Sequence, residues 1–446
     1  MKRNLADAYQ LLHDGALDMA EMELAGMKVD IEYVDNTIAQ LEKDVAELKE
    51  EFLSSPDGQK WYNHYGAKTN IDSPTQFATF LFDILGLSLP EGKRSTDKAT
   101  LAKISDDVQS AKTVSEIRKL TKPLERLISI KNHTVKGYIY PSFMLNTVQT
   151  YRSSSANPNW QNNPSRDPFQ KKTVRRALIP SSNSRFVEWD FKGMEVSVGC
   201  CYHKDPTMIK YLNDPSMDLH WDIIREIFIL EDTDKTKGIR YLGKNGFVFP
   251  QFYGDYYKNC AVNIWEGADG VELPNGTLVK DHLAKKGFRT YAAFEAHVKL
   301  IEDYFWNDLF PVYNNWKNQQ WFEYQKKLYF EFLTGFREYG VYSRNQCNNH
   351  PVQGTAFHVL LKTVHYMMRK MDENQLVSFL IAQIHDSVLG DILDNELKTM
   401  INIVRDIVKN RIPKEWEWIN VPLVVEMEMS PVNGNWSQME ASDIII

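Results

Sequence analysis

The sequence predicts an α+β fold in which helices are grouped around an antiparallel sheet. Apolar residues recur at three- and four-residue spacing over 5–53 and 355–371, which is the period of an amphipathic α-helix. The ranges 184–191 and 376–393 are short apolar runs bounded by turn residues, which is typical of strands. With 446 residues, the chain is long enough for two to four domains or lobes with a buried core.

The helical ranges carry recognisable start signals. Ser73, Pro74 and Gln76 form a capping box with proline at the first helical position, which predicts a helix from residue 74. Residues 206–336 are again helical and rich in aromatic side chains. Within that second range, Asn275-Gly276 predicts a hairpin turn.

The strand-like ranges begin near residue 137. Residues 137–150 are predicted to form strands, and 151–168 form a polar loop. The run 184–191 is predicted as one strand, 376–393 as two apolar strands around a polar turn, and 421–430 as a last strand. Together these ranges predict the antiparallel sheet.

The composition excludes several classes of protein. Hydrophobic residues make up 43% and charged residues 25% of the chain, which is ordinary for a soluble globular protein. No apolar run approaches the roughly 20 residues of a membrane span, and the start of the chain lacks the apolar core of a signal peptide. Four cysteines without metal-ligand spacing predict a reduced intracellular compartment.

Charge is unevenly distributed along the chain. The net charge is −7, yet residues 91–136 hold 11 basic and 6 acidic residues, whereas residues 1–57 hold 14 acidic and 5 basic residues. A basic stretch is often only a solvated helix face. In an acidic chain it also predicts a local surface for a polyanion such as nucleic acid.

Two aspartates stand at the ends of apolar strands. Asp190 ends the run that begins at residue 184, and Asp386 lies in the turn of 376–393. Two such carboxylates on adjacent strands can hold two divalent cations about 3.5–4 Å apart, the arrangement used for in-line phosphoryl transfer. Mg²⁺ needs few protein ligands when substrate phosphates complete its shell. Taken singly, Asp386 is also typical of a turn and Asp190 of a helix N-cap.

A cationic helix face precedes a proline at residue 250. Arg240 and Lys244 are one helical turn apart, so both heads reach the same object, and a triphosphate is a natural counter-ion. A solvated basic face is the alternative. Aromatic residues that can stack on a base follow in the same stretch: Phe247, Phe249, Phe252 and Tyr253.

The loop 151–164 joins Arg152 to many small amide and hydroxyl side chains, among them Asn157 and Gln161. Such groups contact the sugar and phosphate edges of a duplex without reading its sequence. An ordinary Asn/Ser/Pro loop is the alternative.

Taken in chain order, these segments resemble the DNA polymerase I family, the family A DNA polymerases, in its polymerase region. "WDFKGMEVS" is similar to the first palm motif, "RYLGK…FVFPQFYG" to the fingers motif and "IHDSV" to the second palm motif. Further matches are "YRSSSANPNWQNNP", "DLH", "NHPVQGTA" and the ending "PLVVEMEMSPVNGNW". Each match is weak alone, and their common order leaves little room for coincidence.

The resemblance implies a right-hand polymerase fold with an antiparallel palm sheet, helical fingers and a helical thumb. The basic excess at 91–136 would lie in the thumb, where the family grips primer–template duplex. The implied domains are a lead-in helix returning to the palm (1–36), the thumb (37–136), a first palm segment (137–205), the fingers with an insertion at about 261–285 (206–339), and a second palm segment (340–446).

The resemblance also implies a role for each matched residue. Asp190, Asp386 and the carbonyl of Phe191 would hold two Mg²⁺ ions, with Mn²⁺ as a substitute, and Lys244 would protonate the leaving group. Glu195 and Tyr253 would exclude a ribose 2′-hydroxyl. The incoming dNTP would contact Arg240, Lys244, Phe249, Tyr253, Glu195 and His220. Primer–template DNA would contact Arg152, Asn157, Gln161, Asn349, Gln353 and His385.

One departure from the family lies in the fingers motif. The family spaces its lysine and tyrosine by eight residues, whereas Lys244 and Tyr253 are nine apart. One extra residue rotates a regular helix by about 100°. On an unbroken helix, Tyr253 would therefore lie on the face opposite Lys244.

Pro250 predicts how the chain corrects this rotation. Proline cannot donate to the carbonyl four residues earlier, so a one-residue π-type bulge near Gly246–Pro250 is expected to absorb the extra residue. Phe249, rather than Phe247, would then face the site. The alternative is that Pro250 simply ends the helix.

Other departures are more local. Ser387 replaces the carboxylate that the family has after its second palm aspartate, and activity is expected to survive because two aspartates suffice for the metals. Asn345 stands where the family often has arginine, with Arg344 beside it. The insertion at 261–285 has no role that the sequence indicates.

A further departure is the early start of the lead-in helix, within the first ten residues or so. It predicts that the chain has no 3′–5′ exonuclease domain and no proofreading of its own. Compactness and the departures suggest a phage-type polymerase, with an exonuclease or processivity subunit as a separate partner. The expected location is the cytoplasm, that of the host if the chain is phage-encoded, with no membrane partner.

Two other functions fit some features of the pattern. A single-subunit RNA polymerase uses similar aspartates, arginine and lysine, but Glu195 argues against it because an acid there excludes the 2′-hydroxyl. A non-catalytic DNA-binding accessory subunit could keep the fold. The complete set of Asp190, Asp386, Arg240 and Lys244 argues against that, because decay usually removes metal ligands first.

Overall fold

The computed structural model describes residues 4–88, 94–97, 100, 101, 104, 108–164 and 167–446, and it combines long helices with short antiparallel strands. The described strands are β1 (Met27–Lys28), β2 (Thr134–Val135), β3 (Tyr138–Ile139), β4 (Ser142–Met144), β5 (Ser154–Ala156), β6 (Ser184–Phe191), β7 (Tyr329–Glu331), β8 (Arg337–Tyr339), β9 (Phe379–Ile384), β10 (Ser387–Leu393), β11 (Val425–Met429) and β12 (Glu440–Ile445).

Helices occupy most of the described chain. The α-helices are α1 (Leu5–Ala25), α2 (Ile31–Ser54), α3 (Pro56–Tyr65), α4 (Pro74–Thr79), α5 (Gln109–His133), α6 (Pro168–Arg175), α7 (Met194–His203), α8 (Pro206–Asn213), α9 (Leu219–Phe228), α10 (Lys237–Gly243), α11 (Phe249–Phe252), α12 (Tyr257–Gly267), α13 (Val279–Lys285), α14 (Tyr291–Tyr304), α15 (Pro311–Lys327), α16 (Arg344–Glu373), α17 (Leu397–Asp406) and α18 (Ile412–Glu415). Four π turns extend helices at Phe80–Ile84, Lys244–Val248, Phe305–Leu309 and Ile407–Arg411, and 3₁₀ turns lie at Gly66–Lys68, Asp232–Asp234 and Trp436–Gln438.

The largest sheet has five antiparallel strands in the order β12–β11–β6–β10–β9. β6 is its middle strand, and Asp190 is the Cα partner of Ser387 on β10 and of Glu426 on β11. The predicted strands at 184–191 and 376–393 are therefore confirmed as neighbours. The prediction of 421–430 as the last strand was wrong, because β12 follows; it is an edge strand whose large apolar residues are confined to its end, at Ile444 and Ile445.

Helix starts agree with the capping signals. α4 begins at Pro74, as predicted, with the Ser73 side chain accepting from the backbone N–H of Gln76. The predicted capping box is not completed, because the side-chain oxygen of Gln76 accepts from the N–H of Asn70 instead. α16 begins at Arg344, well before the predicted amphipathic stretch at 355–371, because Ser343 and Gln346 form a capping box there.

Three hydrophobic clusters organise the described residues. The first joins α1, the five-stranded sheet and α16, the second lies within 200–313 with Val421, and the third lies within 45–117. The hairpin β7–β8 packs its phenylalanines at 330, 332 and 336 into the first cluster. The predicted basic range 91–136 lies partly outside the described residues.

The predicted insertion at 261–285 belongs to the second cluster. α12 and α13 flank a tight hairpin, in which Glu272 bridges Leu278 and Gly276 has a φ of 78°. The hairpin predicted at Asn275-Gly276 is thus confirmed. Ile264, Val279 and Leu283 are fully buried. This segment is therefore part of the hydrophobic core and not a surface loop.

The fingers motif contains the predicted π-type bulge. A π turn spans Lys244–Val248, and the backbone N–H of Phe249 donates to the carbonyl of Lys244, five residues earlier. The close approach of α12 favours Gly246 here, since an added Cβ would stand 2.6 Å from Cγ1 of Ile264. Pro250 follows immediately in α11, where its missing N–H leaves the ladder open.

Because of the bulge, Phe247 points into the core and Phe249 points toward the site, as predicted. Phe247 is fully buried, and its ring centroid lies 5.5 Å from that of Phe305 in the second cluster. Phe249 is half-buried and faces the cavity described below.

None of the described helices combines the length and the apolar composition that a membrane crossing requires.

The two phenylalanines should respond differently to truncation. Phe247→Ala is expected to lower the free energy of unfolding by about 3–5 kcal/mol, because a buried aromatic ring is replaced by a cavity. Phe249→Ala should cost clearly less stability. Denaturant unfolding followed by tryptophan fluorescence measures both, and equal losses would contradict the described helix rotation.

Candidate active site

A cavity of about 300 Å³ opens where the end of β6 meets α7, α11 and α16. Nine of the residues that the sequence singled out line it: Asp190, Phe191, Glu195, Phe249, Phe252, Tyr253, Asn349, Gln353 and Asp386. Residues from four widely separated stretches of the chain therefore share one space.

The two aspartates lie side by side because of strand register. Asp386 immediately precedes Ser387, the Cα partner of Asp190, and its backbone carbonyl accepts the N–H of Phe191 at 3.2 Å. Gly193, with a left-handed backbone, is the N-cap of α7. The alternative in which Asp190 is that N-cap is therefore excluded.

The surroundings of Asp190 are strongly acidic. Loss of hydration and the neighbouring carboxylates raise the pKa of Asp190 to about 7. Those carboxylates are Glu188, Asp386, Glu426 and Glu428. Such repulsion is relieved by a bound cation.

The residues fit a divalent cation. Carboxylate oxygens are the ligands that Mg²⁺ prefers, and it is commonly bound through one or two carboxylates plus substrate phosphates. Among the described residues, no group of three or more His, Cys, Asp or Glu side chains is arranged as a metal cage. The Asp190–Asp386 pair could therefore hold a divalent cation whose remaining ligands are not side chains of this kind.

Arg152 connects two acidic side chains of the cavity, Asp386 and Glu195. Its guanidinium donates to Asp386 Oδ1 at 2.9 Å and to Glu195 Oε1 at 3.2 Å. The polar loop 151–164 therefore reaches the cavity, as the sequence suggested.

A buried amide network holds this loop against the β9–β10 turn. Gln161 Nε2 donates to Gln383 Oε1 at 2.9 Å, and the Ser153 hydroxyl donates to the same oxygen. Gln383 Nε2 in turn donates to the carbonyl of His385, next to Asp386. Gln383 was missed by sequence reasoning because it lies between apolar residues in a strand that reads as core.

Tyr253 is held by hydrogen bonds from both its side chain and its backbone. Its hydroxyl donates to Glu195 Oε2, and its carbonyl accepts from Asn349 Nδ2 at 3.1 Å. Burial and the Glu195 carboxylate raise the pKa of Tyr253, and burial raises the pKa of Glu195. Asn345 likewise donates to the carbonyl of Gly254 at 3.2 Å.

The fingers cations lie at the side of the cavity. Lys244 Nζ is 5.1 Å from the centroid of the Phe249 ring, and the His220 ring is 5.6 Å from it. Burial and the charge of Arg240 lower the pKa of His220 to about 4, so the imidazole is neutral at pH 7.

Arg240 has an acidic partner that the sequence analysis did not identify. Arg240 Nε lies 2.6 Å from Asp218 Oδ2, and Lys235 lies 3.0 Å from the same oxygen. Asp218 is the N-cap of α9, two residues before His220, and such a capping position is the signal that could have indicated it. Lys244 has no ion-pair partner among the described residues.

Two predicted DNA-contacting residues lie away from the cavity lining. Asn157 and His385 are both exposed and have left-handed backbone angles, with φ of 55° and 53°. His385 is adjacent to Asp386 in the chain, whereas the structure does not bring Asn157 to the other site residues.

Ser387, which stands where the family has a carboxylate, forms hydrogen bonds with neighbouring oxygen atoms. Its hydroxyl donates to Glu188 Oε1 at 2.7 Å and to the carbonyl of Ile384 at 2.9 Å. Glu188 lies two residues before Asp190 and shares its face of β6. The period of two along the strand is the signal that could have found Glu188.

The sequence model of DNA polymerase family A matches residues 32–438. The chain belongs to DNA polymerase family A. The DNA polymerase I of Aquifex aeolicus (strain VF5) is 26% identical over 94% of this chain and 66% of its own length. The DNA polymerase I of Geobacillus stearothermophilus is 26% identical over 93% of this chain and 44% of its own length. The chain thus spans about half to two thirds of these relatives.

The fold is also similar to a solved structure from this family. That structure is the POL domain of Pol1 from M. smegmatis in complex with DNA primer-template and dNTP. The likeness has a TM-score of 0.72 at 19% sequence identity and covers 95% of this chain and 70% of that one. It confirms the predicted α+β right-hand polymerase fold.

The raised pKa of Asp190 predicts a pH dependence of stability in the metal-free protein. An unfolded aspartate has a pKa near 4, so between about pH 4 and 7 the folded state holds a proton that the unfolded state has lost. Stability from this group is therefore expected to fall as pH rises through that window. Melting temperatures in EDTA should show a smaller fall for Asp190→Asn than for wild type.

Asp394→Asn is the matched control, because Asp394 is paired with Arg185 at the other end of β10. Identical pH slopes for wild type and Asp190→Asn would contradict the described acidic surroundings.

Proposed function

We propose that the chain is a template-directed DNA polymerase that extends a primer 3′-hydroxyl with dNTPs. The observation that supports this most directly is the convergence of Asp190 and Asp386 on a cavity whose opposite wall is the fingers helix with Phe249 and Tyr253. Membership of the family and the fold support the same reaction.

Asp190, Asp386 and the backbone carbonyl of Phe191 would hold two Mg²⁺ ions, with Mn²⁺ as a substitute. When bound, such ions lower the pKa of a hydroxyl nucleophile and neutralise charge on transferring and leaving phosphates. The position of Asp190 on β6 and of Asp386 in the β9–β10 turn supports this, because phosphoryl transfer depends on rigid positioning.

Arg240 and Lys244 would bind the triphosphate, and Lys244 would donate a proton to the leaving pyrophosphate. Lys244 is free of carboxylate partners among the described residues, whereas Arg240 must exchange Asp218 for phosphate oxygens. The neutral His220, beside both cations, would donate a hydrogen bond to the phosphates without adding charge.

Phe249 would stack on the incoming base, and the Glu195–Tyr253 pair would occupy the space that a ribose 2′-hydroxyl requires. The primer terminus and the minor-groove edge of the new pair would contact Arg152, Asn157, Gln161, Asn349, Gln353 and His385. Arg152 must leave Asp386 for this contact, so binding of the primer end would also free a metal-binding carboxylate.

The three hydrophobic clusters would correspond to palm, fingers and thumb. The thumb would take 37–136, the fingers 206–339 apart from the β7–β8 hairpin, and the palm the remaining ranges 137–205 and 340–446 behind the lead-in helix at 1–36. A separate exonuclease or processivity subunit is a proposed partner. The predicted lack of proofreading in these 446 residues stays a prediction, and excision of a mispaired primer end by the purified chain would refute it.

The contact between Tyr253 and Glu195 argues against the alternative that the chain is an RNA polymerase. The hydrogen bond between Tyr253 and Glu195 holds the acid against the sugar side of the cavity. Preferential incorporation of NTPs over dNTPs would support that alternative.

Primer extension with Mg²⁺ tests the proposal. Wild type should add the templated dNTP, and Asp190→Asn and Asp386→Asn should each reduce the rate by more than about 100-fold, since even partners of metal ligands commonly cost 10–100-fold. Asp394→Asn, which alters an exposed ion pair, should stay close to wild type.

Extension by either aspartate variant at the wild-type rate would contradict the proposed metal pair. Template binding without any extension by wild type would instead support the accessory-subunit alternative.

A further inference from the structure

A buried polar network lies directly behind the fingers helix. Gln251, on α11 between Pro250 and Phe252, is 1% exposed. Its Nε2 donates to Glu302 Oε1 at 2.7 Å, and its Oε1 accepts from Trp306 Nε1 at 2.7 Å. Because the indole can only donate and the ionised carboxylate can only accept, the amide has one orientation that satisfies both partners.

The partners of Gln251 are themselves held in place. Trp306 lies in the π turn Phe305–Leu309, and Lys317 Nζ stands 3.0 Å from the centroid of one of its rings. Glu302 is half-buried on α14, and burial raises its pKa. The network therefore joins α11 to α14, to the π turn at Phe305–Leu309 and to α15.

The network lies next to the segment whose rotation depends on the π turn at Lys244–Val248. The turn at Lys244–Val248 sets the rotation of the helix that follows, and Pro250 contributes no backbone N–H to hold it. α11 has only four residues and continues directly from the π turn, so few backbone hydrogen bonds follow the change in rotation. A satisfied buried network specifies one arrangement where apolar packing would permit several.

We propose that Gln251 is a positioning residue, whose side-chain hydrogen bonds to Glu302 and Trp306 set the rotation of α11 and thereby hold Tyr253 against Glu195. This inference rests on the proposed function for its effect on catalysis. Tyr253 lies two residues after Gln251, and its hydroxyl contact to Glu195 is the contact that would exclude a ribose. Loosening the network is therefore expected to weaken selection between dNTPs and NTPs.

Gln251→Met keeps an unbranched side chain of similar length but removes both hydrogen bonds, and Trp306→Phe removes one donor. A misplacement of about 1 Å in a reacting geometry can cost on the order of 100-fold, so each variant should reduce the ratio of kcat/KM for dNTP over NTP by about tenfold. The double variant should lose little more than either single one, because both changes break the same network.

A second readout does not depend on catalysis. Amide hydrogen exchange in the DNA-free protein should become faster over residues 249–254 in both variants than in wild type. Glu302→Gln keeps an oxygen that can accept from Gln251, so it should preserve the wild-type ratio, whereas Glu302→Met should not.

Trp436→Phe is the control for a buried indole. Trp436 is buried in the first cluster, and its Nε1 has no hydrogen-bond partner among the described residues. A melting temperature lowered equally in Trp306→Phe and Trp436→Phe, with unchanged sugar discrimination and unchanged exchange over 249–254, would overturn the proposal. A wild-type chain that incorporates neither nucleotide would refute the proposed function instead, and the exchange data would still decide whether Gln251 orders α11.

Discussion

The antiparallel pairing of β6 with β10 is the interaction on which the site depends. Backbone hydrogen bonds between these strands place Ser387 opposite Asp190, and so bring Asp386 next to Asp190 at the mouth of the cavity. A slip of one residue would turn every side chain of one strand to the other face of the sheet. The buried residues of both strands oppose such a slip, so packing of the core maintains the spacing of two acids that repel one another.

The opposite wall depends on a second constraint, which is the rotation of the fingers helix. The π turn at Lys244–Val248 absorbs one residue, so that Phe247 enters the core while Phe249 and Tyr253 face the aspartates. Arg152 and Arg240 are both paired with carboxylates. In the proposed reaction, both arginines would exchange these acidic side chains for phosphate or base oxygens, which would couple binding of DNA and nucleotide to release of acids in the site.

Much of this arrangement could be predicted from the sequence, because strong local signals coincide with the functional motifs. Apolar runs indicated β6, β9 and β10, and the extra residue beside Pro250 indicated the π turn. The contacts that depend on tertiary packing could not be predicted. Asp218 reaches Arg240 from another helix, Gln383 lies within an apolar strand, and β12 begins with small and polar residues before its isoleucines. The Asp218–Arg240 and Gln383–Gln161 contacts join residues far apart in the chain, so a local pattern does not indicate which partners meet.

The most direct test of the account is electron paramagnetic resonance of Mn²⁺ bound to the chain with primer–template DNA and a non-hydrolysable dNTP. The account predicts two spin-coupled ions about 3.5–4 Å apart, lost in Asp190→Asn and in Asp386→Asn. Uncoupled ions, or a coupled pair that persists without either aspartate, would show that these two side chains do not form one metal-binding site.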